Sequence, residues 1–190
     1  MPGQSQEARN KRLVIGITGR IGAGKTSAGK YLSSRHGFQY LRYSQVLSEW
    51  LAKDAESKAH LQEVGWKVMA GGMQAELNRR LVAQVTPEAN VAVDGLRNPI
   101  DFESLKDSFA SAFYLLYIES PREERWNRLR GQGRYASLDS FEHADSHPVE
   151  QQIESLRVDA ALVLRNEGQL QDLYVALDGA VRDFRREGQA

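Results

Sequence analysis

Short apolar runs alternate along the chain with longer segments in which apolar residues recur at helical spacing. The first run is Leu13-Val14-Ile15-Gly16-Ile17, and further runs occupy residues 38–42, 90–94, 112–119 and 160–164. Short continuous apolar runs are typical of strands that are buried on both faces of a parallel sheet. The pattern therefore predicts five parallel strands.

The segments between these runs predict helices. In the longest segment, Gly65 and Gly71-Gly72 predict a bend or two shorter helices. We expect helices at about 27–35, 57–85, 99–107, 138–144, 148–156 and 170–186, and two more that begin at about 44 and 121. Because strands and helices alternate over 190 residues, we predict one α/β domain of three layers, with helices on both faces of a five-stranded sheet.

The eight residues after the first strand fill the pattern G-x-x-x-x-G-K-[ST], from Gly19 to Thr26. Glycines at these places let successive backbone N–H groups turn towards a triphosphate. Lys25 would reach the β- and γ-phosphates, and Thr26 would offer a hydroxyl to Mg²⁺. A glycine-rich turn could match the pattern by chance, but the surrounding strand and helix favour a phosphate-binding loop, or P-loop.

This loop gives the expected contacts with ATP. The residues that we expect to bind the nucleotide are Gly19, Ile21, Gly22, Ala23, Gly24, Lys25, Thr26 and Ser27. A P-loop alone indicates only that a nucleoside triphosphate binds, so the reaction class depends on the residues that accompany it.

Asp94 and Arg97 are the first of these accompanying residues. Asp94 ends the third predicted strand, and ligands of doubly wound sheets bind outside the carboxyl ends of the strands. We therefore expect Asp94 beside the P-loop, where it would hold Mg²⁺ together with Thr26, and Arg97 in the same cleft, gripping an acceptor phosphate. The alternatives are an aspartate that caps a turn and a surface arginine.

Arginines are also frequent between 122 and 134. The series comprises Arg122, Arg125, Arg128, Arg130 and Arg134, and the last follows Gly131 and Gly133. A mobile segment that carries arginines can close over a transferring phosphoryl group and exclude water. A solvated basic helix face is the alternative for each arginine taken singly.

Composition excludes several other classes. Lys+Arg and Asp+Glu both number 25, so the zero net charge gives no general attraction to nucleic acid or an anionic membrane. The chain has no cysteine, which excludes disulfides and thiolate catalysis. No run of apolar residues is long enough for a membrane span and the first residues do not form a secretory signal, so we expect a cytoplasmic protein with a frayed tail at 1–11.

The P-loop is followed along the chain by Asp94-Gly95-Leu96-Arg97-Asn98-Pro99, then by the arginine series and then by Asn166-Glu167-Gly168. With these motifs in this order, the chain resembles the small P-loop kinases. It looks most like the nucleoside and deoxynucleoside monophosphate kinases and the dephospho-CoA kinase-like group, including adenylate-kinase-related members. The resemblance implies a P-loop NTPase fold with ATP and Mg²⁺ as cofactors, a helical acceptor-binding region at about 44–86 and a short lid at about 122–147. It also implies that Arg130 and Arg134 are lid arginines and that Asn166 and Gly168 lie near the donor base.

The chain departs from the pattern of these kinases at the acceptor site. Many monophosphate kinases of this group carry arginines where this chain has Ser48 and Met69. Dephospho-CoA kinases usually have an aspartate directly after the second strand, where this chain has Arg42-Tyr43-Ser44. The first departure indicates an altered acceptor site, and the second argues against dephospho-CoA.

Our leading hypothesis is a kinase that transfers the γ-phosphoryl group of ATP to a nucleoside or deoxynucleoside monophosphate, with Lys25, Asp94, Arg97, Arg130 and Arg134 as catalytic residues. The alternatives are a dephospho-CoA kinase-like enzyme and an ATP-binding switch protein with a degenerate acceptor site. Zero net charge disfavours a nucleic-acid-processing NTPase. We expect a small phosphorylated acceptor, no nucleic-acid or membrane partner, and a monomer or homodimer.

Overall fold

The computed structural model describes residues 12–51 and 58–188, without the side chains of 58–62. The tail predicted at 1–11 lies outside the described residues, and so do residues 52–57 of the predicted acceptor-binding region. Within the described ranges, elements alternate in the expected manner.

The strands are β1 (Val14–Thr18), β2 (Gln39–Arg42), β3 (Val91–Asp94), β4 (Phe113–Glu119) and β5 (Leu162–Arg165). The helices are α1 (Lys25–His36), α2 (Tyr43–Leu51), α3 (Lys58–Ala70), α4 (Gln74–Ala83), α5 (Pro99–Phe109), α6 (Arg122–Gly131), α7 (Leu138–Asp145), α8 (Pro148–Ser155) and α9 (Leu170–Glu187), and a 3-10 turn at Ala110–Ala112 precedes β4.

The five strands form one parallel sheet in the order β2-β3-β1-β4-β5. The carboxyl ends of the strands therefore lie along one edge of the sheet. At this edge β1 leads into the P-loop, and Ile17 of β1 is in register with Asp94 of β3. The topology thus brings together two segments that are far apart along the chain.

Helices cover both faces of the sheet. Ile15 and Ile17 of β1 pack in a core with α1 and α9, whereas Val14 packs in a second core with α2, α4 and α5. This alternation follows from the period of two in a strand. The predicted three-layer α/β fold is confirmed.

The break in the long helical segment lies at one of the two predicted places. Helix α3 runs through Gly65, and the chain turns at Gly71-Gly72 before α4 begins. Gly72 has a φ of +71°, a left-handed conformation that glycine adopts without strain and that commonly ends a helix. Gly65 does not adopt such a conformation.

Candidate active site

The P-loop connects β1 to α1 and wraps around the start of the helix. Gly24 is the N-terminal cap of α1 with a φ of +110°, and a Cβ at this position would lie 2.6 Å from Nδ2 of Asn166. Both the backbone conformation and this close approach require glycine. The cap makes no side-chain hydrogen bond to the first turn, so the first amides of α1 are available to an anion.

Lys25 lies within the loop rather than extending into solvent. Its Nζ donates hydrogen bonds to the carbonyl oxygens of Gly19, at 2.5 Å, and of Arg20, at 3.0 Å. Burial lowers the pKa of Lys25, and the negative charges of Glu150 and Asp94 oppose this shift. Phosphate oxygens at this place would compensate the ammonium group more fully than the two carbonyls do.

Asp94 lies directly beside the first turn of α1. Its Oδ2 accepts hydrogen bonds from Thr26 Oγ1, at 3.1 Å, and from the Tyr40 hydroxyl, at 2.8 Å. Burial, followed by the charge of Asp94, raises the pKa of Tyr40, so this hydroxyl stays protonated and remains a donor. Thr26 and Asp94 thus present two oxygen ligands of the kind that Mg²⁺ prefers.

A cleft of about 1240 Å³ opens from the P-loop towards α2, α3 and α4. The predicted site residues that line it are Ile21, Gly22, Gly24, Lys25, Thr26, Ser27, Asp94, Arg97, Arg134, Asn166 and Gly168. Gly19 contributes its carbonyl to Lys25, and Ala23 is buried beneath the loop. The topology therefore gathers eleven predicted residues around one space.

Arg130 does not line this cleft. It is exposed near the end of α6. Arg128, two positions earlier, lines the cleft instead and donates to Ser120 Oγ and to the carbonyl oxygen of Asn166, both at 2.8 Å. The helical period explains the exchange, because residues two apart project from different faces of a helix.

Asn166 supports the P-loop through its side chain. Its Nδ2 donates to the carbonyl oxygen of Ala23 at 2.8 Å, and the residue is 5% exposed. The amide therefore fixes the backbone just before Gly24. Its predicted place near the donor base remains a prediction, whereas its contact with the loop is direct.

Glu150 was not predicted from the sequence, although it lies at the centre of the site. This residue of α8 is 1% exposed, and its Oε2 accepts a hydrogen bond of 2.8 Å from the backbone N–H of Ile21. Its Oε1 lies 3.4 Å from Nη1 of Arg97. One buried carboxylate thus contacts both the P-loop and the predicted acceptor arginine.

Arg125 is a member of the arginine series that predicts a closing segment, yet it is buried and bound within the protein. Its guanidinium makes two hydrogen bonds to the carboxylate of Asp145, at 2.5 and 3.0 Å, and a third to the carbonyl oxygen of Ile21. With an exposed fraction of 4%, it is not available to a substrate. Its contacts instead join α6, the end of α7 and the P-loop.

A buried polar cluster forms the base of the cleft beneath Arg97. Asp101 accepts hydrogen bonds from the side chain of Gln74 and from the backbone N–H groups of Arg97 and Asn98. Burial raises the pKa of Asp101 to about 6, and these hydrogen bonds oppose the shift. The cluster holds the Gly95–Asn98 turn against α4.

The positions at which arginines are expected also line the cleft. Ser48 and Met69 both do so, and so does Arg42. The departure from the kinase pattern therefore concerns the lining of the cleft itself.

A family model described as an AAA domain matches residues 15–165, which is most of the chain. The chain belongs to this AAA domain family. Among curated proteins, the UPF0200 protein PAE1629 of Pyrobaculum aerophilum is 29% identical over 126 residues, which cover 64% of this chain and 67% of that protein.

Solved structures of small kinases have the same fold as this AAA domain protein. A shikimate kinase from Acinetobacter baumannii in complex with shikimate gives a TM-score of 0.59 at 18% identity, covering 93% of this chain and 97% of that one. A gluconokinase from Sinorhizobium meliloti gives 0.60 at 14% identity, covering 94% and 96%. The APS kinase CysC of Mycobacterium tuberculosis, in complex with AMPPNP and APS, gives 0.58 at 18% identity, covering 91% and 96%.

At these identities the likeness concerns the fold alone, and it confirms the predicted resemblance to small P-loop kinases. The three kinases named have different acceptors in their names, so the fold does not select the acceptor. In the described part of this AAA domain protein, no helix combines the length and apolarity that crossing a membrane requires.

Proposed function

We propose that this protein is an ATP- and Mg²⁺-dependent kinase that transfers the γ-phosphoryl group to a nucleoside or deoxynucleoside monophosphate. The observation that carries the proposal is that Lys25, Thr26, Asp94 and Arg97 line one cleft, which continues past the P-loop. A site for a triphosphate and a neighbouring cationic site for a second anion are what phosphoryl transfer between nucleotides requires.

The donor would bind at the P-loop. Lys25 and the first amides of α1 would bind the β- and γ-phosphates and stabilise the charge that develops during transfer. Mg²⁺, held by Thr26 and Asp94 and otherwise by phosphate oxygens and water, would supply further neutralisation of that charge. In the residues that the structure describes, no cluster of three or more histidine or acidic residues offers an all-protein metal site, which suits an ion that is bound largely by its substrate.

The acceptor would bind in the wider part of the cleft. Arg97 would orient its phosphate towards the γ-phosphoryl group, and Arg134 would approach from the segment that follows α6. The glycines around Gln132 would let that segment close and exclude water. Arg130 would act as a lid arginine only if this segment moved it into the cleft.

An ATP-binding switch with a degenerate acceptor site is the second candidate, and the Ser48 and Met69 side of the cleft favours it. A dephospho-CoA kinase-like activity is less well supported, because an arginine rather than an aspartate ends β2.

Acceptor-stimulated release of ADP tests the proposal. The acceptors are ribo- and deoxyribonucleoside monophosphates, dephospho-CoA, shikimate, gluconate and APS, each with Mg·ATP. We expect a monophosphate to stimulate ADP release. In Lys25→Ala the stimulated rate should fall about 10²- to 10³-fold, with an unchanged far-UV circular dichroism spectrum. Stimulation by another acceptor alone would overturn the proposed acceptor, and binding of Mg·ATP without any stimulation would favour the switch.

A further inference from the structure

Arg42 ends β2 beside the residues that would hold the metal. It lines the cleft and is in register with Asp94 of the neighbouring strand, so the two backbones are about 4.8 Å apart. Tyr40, which donates to Asp94, lies two residues earlier and therefore on the same face of the strand. Because β3 separates β2 from β1, Arg42 approaches the cleft from the side away from the P-loop.

The guanidinium of Arg42 has no anionic partner within the described ranges. Among the side chains that the structure describes, at residues 12–51 and 63–188, it has no hydrogen-bond partner and no ion-pair partner. The residue is half-buried, so it has lost part of its hydration without gaining an opposite charge. An anion that enters the cleft would therefore gain a charge-assisted contact at little cost to existing interactions.

Arg97 differs from Arg42 in this respect. The Arg97 guanidinium already has the carboxylate of Glu150 beside it. A ligand anion at Arg97 must share this guanidinium with Glu150, whereas an anion at Arg42 has no competitor among the described side chains.

The acidic residues of the cleft are also engaged. Each acidic residue that lines its described part accepts hydrogen bonds. Asp94 accepts them from Thr26 and Tyr40, and Glu150 accepts them from the Ile21 amide and Arg97. Asp101 accepts them from Gln74 and the Arg97 amide, and Glu49 accepts them from Gln45 and Gln84. None of these carboxylates forms an ion pair with Arg42. Asp94 accepts both of its hydrogen bonds through Oδ2, and Arg42, in register with it at the end of β2, is the cation of the cleft without an anionic partner among the described side chains.

We propose that Arg42 binds the phosphate group of the acceptor, and that the acceptor's nucleophile is an oxyanion rather than a hydroxyl group. This inference rests on the proposed kinase function. A phosphate oxygen of the acceptor forms the new bond to the γ-phosphorus, the bond from that phosphorus to the β–γ bridging oxygen breaks, and its electron pair leaves with ADP. No proton has to be removed, because a phosphate monoester is largely dianionic at pH 7.

A neutral hydroxyl nucleophile would gain little from a permanent cation at the end of β2. An alcohol must lose its proton during transfer, which calls for a nearby carboxylate or another base. The side chain at the end of β2 is instead a permanent cation with a planar fork that matches two phosphate oxygens. It would supply, from a strand, the positive charge that Ser48 and Met69 do not supply.

Equilibrium binding separates this inference from the question of turnover. Nucleoside monophosphates and the matching nucleosides are titrated, without ATP, into the wild type, Arg42→Ala, Arg42→Lys and Arg165→Ala. Arg165 is the matched control, because it is also the last residue of a strand, β5, but its side chain does not line the cleft. Mg·ATP binding and thermal unfolding of each variant show whether the P-loop and the fold are intact.

We expect a monophosphate to bind the wild type and the corresponding nucleoside to bind at least 10-fold more weakly. Arg42→Ala should weaken monophosphate binding about 10- to 100-fold, Arg42→Lys should have an intermediate effect, and Arg165→Ala should have none. Mg·ATP affinity should stay within about twofold in all variants, since no P-loop contact changes.

Equal monophosphate affinity in the wild type and Arg42→Ala would overturn the role of Arg42, and so would a wild type that binds no monophosphate. If monophosphate binding depends on Arg42 but ADP release is not stimulated, the kinase function fails while the binding role of Arg42 stands. If a hydroxyl acceptor alone is phosphorylated, the oxyanion inference is wrong.

Discussion

Arg97 and Glu150, 53 residues apart in the chain, meet over the P-loop with Nη1 of the arginine 3.4 Å from Oε1 of the glutamate. The other oxygen of the same carboxylate accepts the backbone N–H of Ile21. The predicted acceptor arginine is thereby tied to the loop that would hold the transferring phosphoryl group. This contact gives Glu150 the role of positioning Arg97, which the sequence of neither segment indicates.

We predict that Glu150→Gln raises the KM for the acceptor about 3- to 10-fold while Mg·ATP binds as tightly as before or more tightly. The glutamine oxygen can still accept the Ile21 N–H, but the amide cannot attract Arg97. Removing a negative charge near the phosphates also favours ATP. Steady-state kinetics with a separate ATP titration measures both effects.

Glu154→Gln is the control for this prediction. Glu154 is on the same helix and forms an ion pair with Arg20, but its side chain is 58% exposed. Removing the negative charge of Glu154 should leave the acceptor KM unchanged. A rise in KM of the same size in both variants would mean that α8 is merely loosened, and the positioning role of Glu150 would be rejected.

A second prediction concerns the Tyr40 hydroxyl, which donates to Asp94. Tyr40→Phe keeps the ring that packs on Gly29 but removes the donor. Asp94 then retains only the Thr26 hydroxyl as a side-chain donor in the described residues. Because the carboxylate is less firmly oriented, we expect the Mg²⁺ concentration needed for half-maximal ATP binding to rise several-fold, with a stability loss of about 1 kcal/mol.

Tyr31→Phe provides the comparison. The Tyr31 hydroxyl also donates to an aspartate, Asp178, on α9 and away from the cleft. The stability loss should be similar and the Mg²⁺ dependence unchanged. If Tyr40→Phe shows no altered Mg²⁺ dependence, Asp94 is not oriented by this hydrogen bond.

The parts of the site that the sequence predicts are those encoded locally. The P-loop occupies consecutive residues, and Asp94 follows an apolar run, so the ends of parallel strands bring them together by topology alone. The predicted fold is confirmed for the same reason, since each strand and each amphipathic helix has its own hydrophobic period.

Glu150 and Asp145 could not be predicted in this way. Each lies in or at the end of a short helix with other polar residues, where a glutamate or aspartate normally faces solvent. Their burial depends on how α7 and α8 dock on the P-loop, which no local period encodes. Arg128 and Arg130 illustrate a related limit. The resemblance implies that Arg130 is a lid arginine, whereas Arg128, about 200° away around α6, is the one that lines the cleft.

Asp101 gives a prediction about pH. Its pKa in the folded protein is about 6, against an ordinary value of 3.8, so the folded state binds the proton more tightly than the unfolded state does. The contribution of Asp101 to stability therefore falls as the pH rises between these two values and stays at its lower level above the folded pKa. The loss amounts to about 2 to 3 kcal/mol.

Asp101→Asn should remove this part of the pH dependence. Its carboxamide can accept the N–H groups of Arg97 and Asn98, and a flipped Gln74 amide can pair with its NH₂ group. Urea unfolding of both proteins between pH 4 and pH 7 measures the difference in the free energy of unfolding. We expect the wild type to lose stability relative to the variant as the pH rises, and parallel curves would refute the assignment.

The last prediction concerns Arg125, whose guanidinium is buried against Asp145. Replacing it by methionine fills similar volume but leaves the Asp145 carboxylate without its bidentate partner and the Ile21 carbonyl without its donor. Removing one partner of a buried ion pair typically costs about 3 to 5 kcal/mol, because the other charge stays desolvated. Arg20, whose Nε lies 3.3 Å from Asp145 Oδ1, should offset part of this cost.

Arg122→Met is the matched variant, since Arg122 is on the same helix and pairs with Glu142, but both side chains are largely exposed. Its cost should stay below about 1 kcal/mol. Urea unfolding should therefore separate the two variants by at least 2 kcal/mol. Because Arg125 also bonds the Ile21 carbonyl, Arg125→Met should weaken Mg·ATP binding even where it is fully folded. A normal ATP affinity in the folded variant would show that α6 does not support the P-loop, whatever the loss in stability.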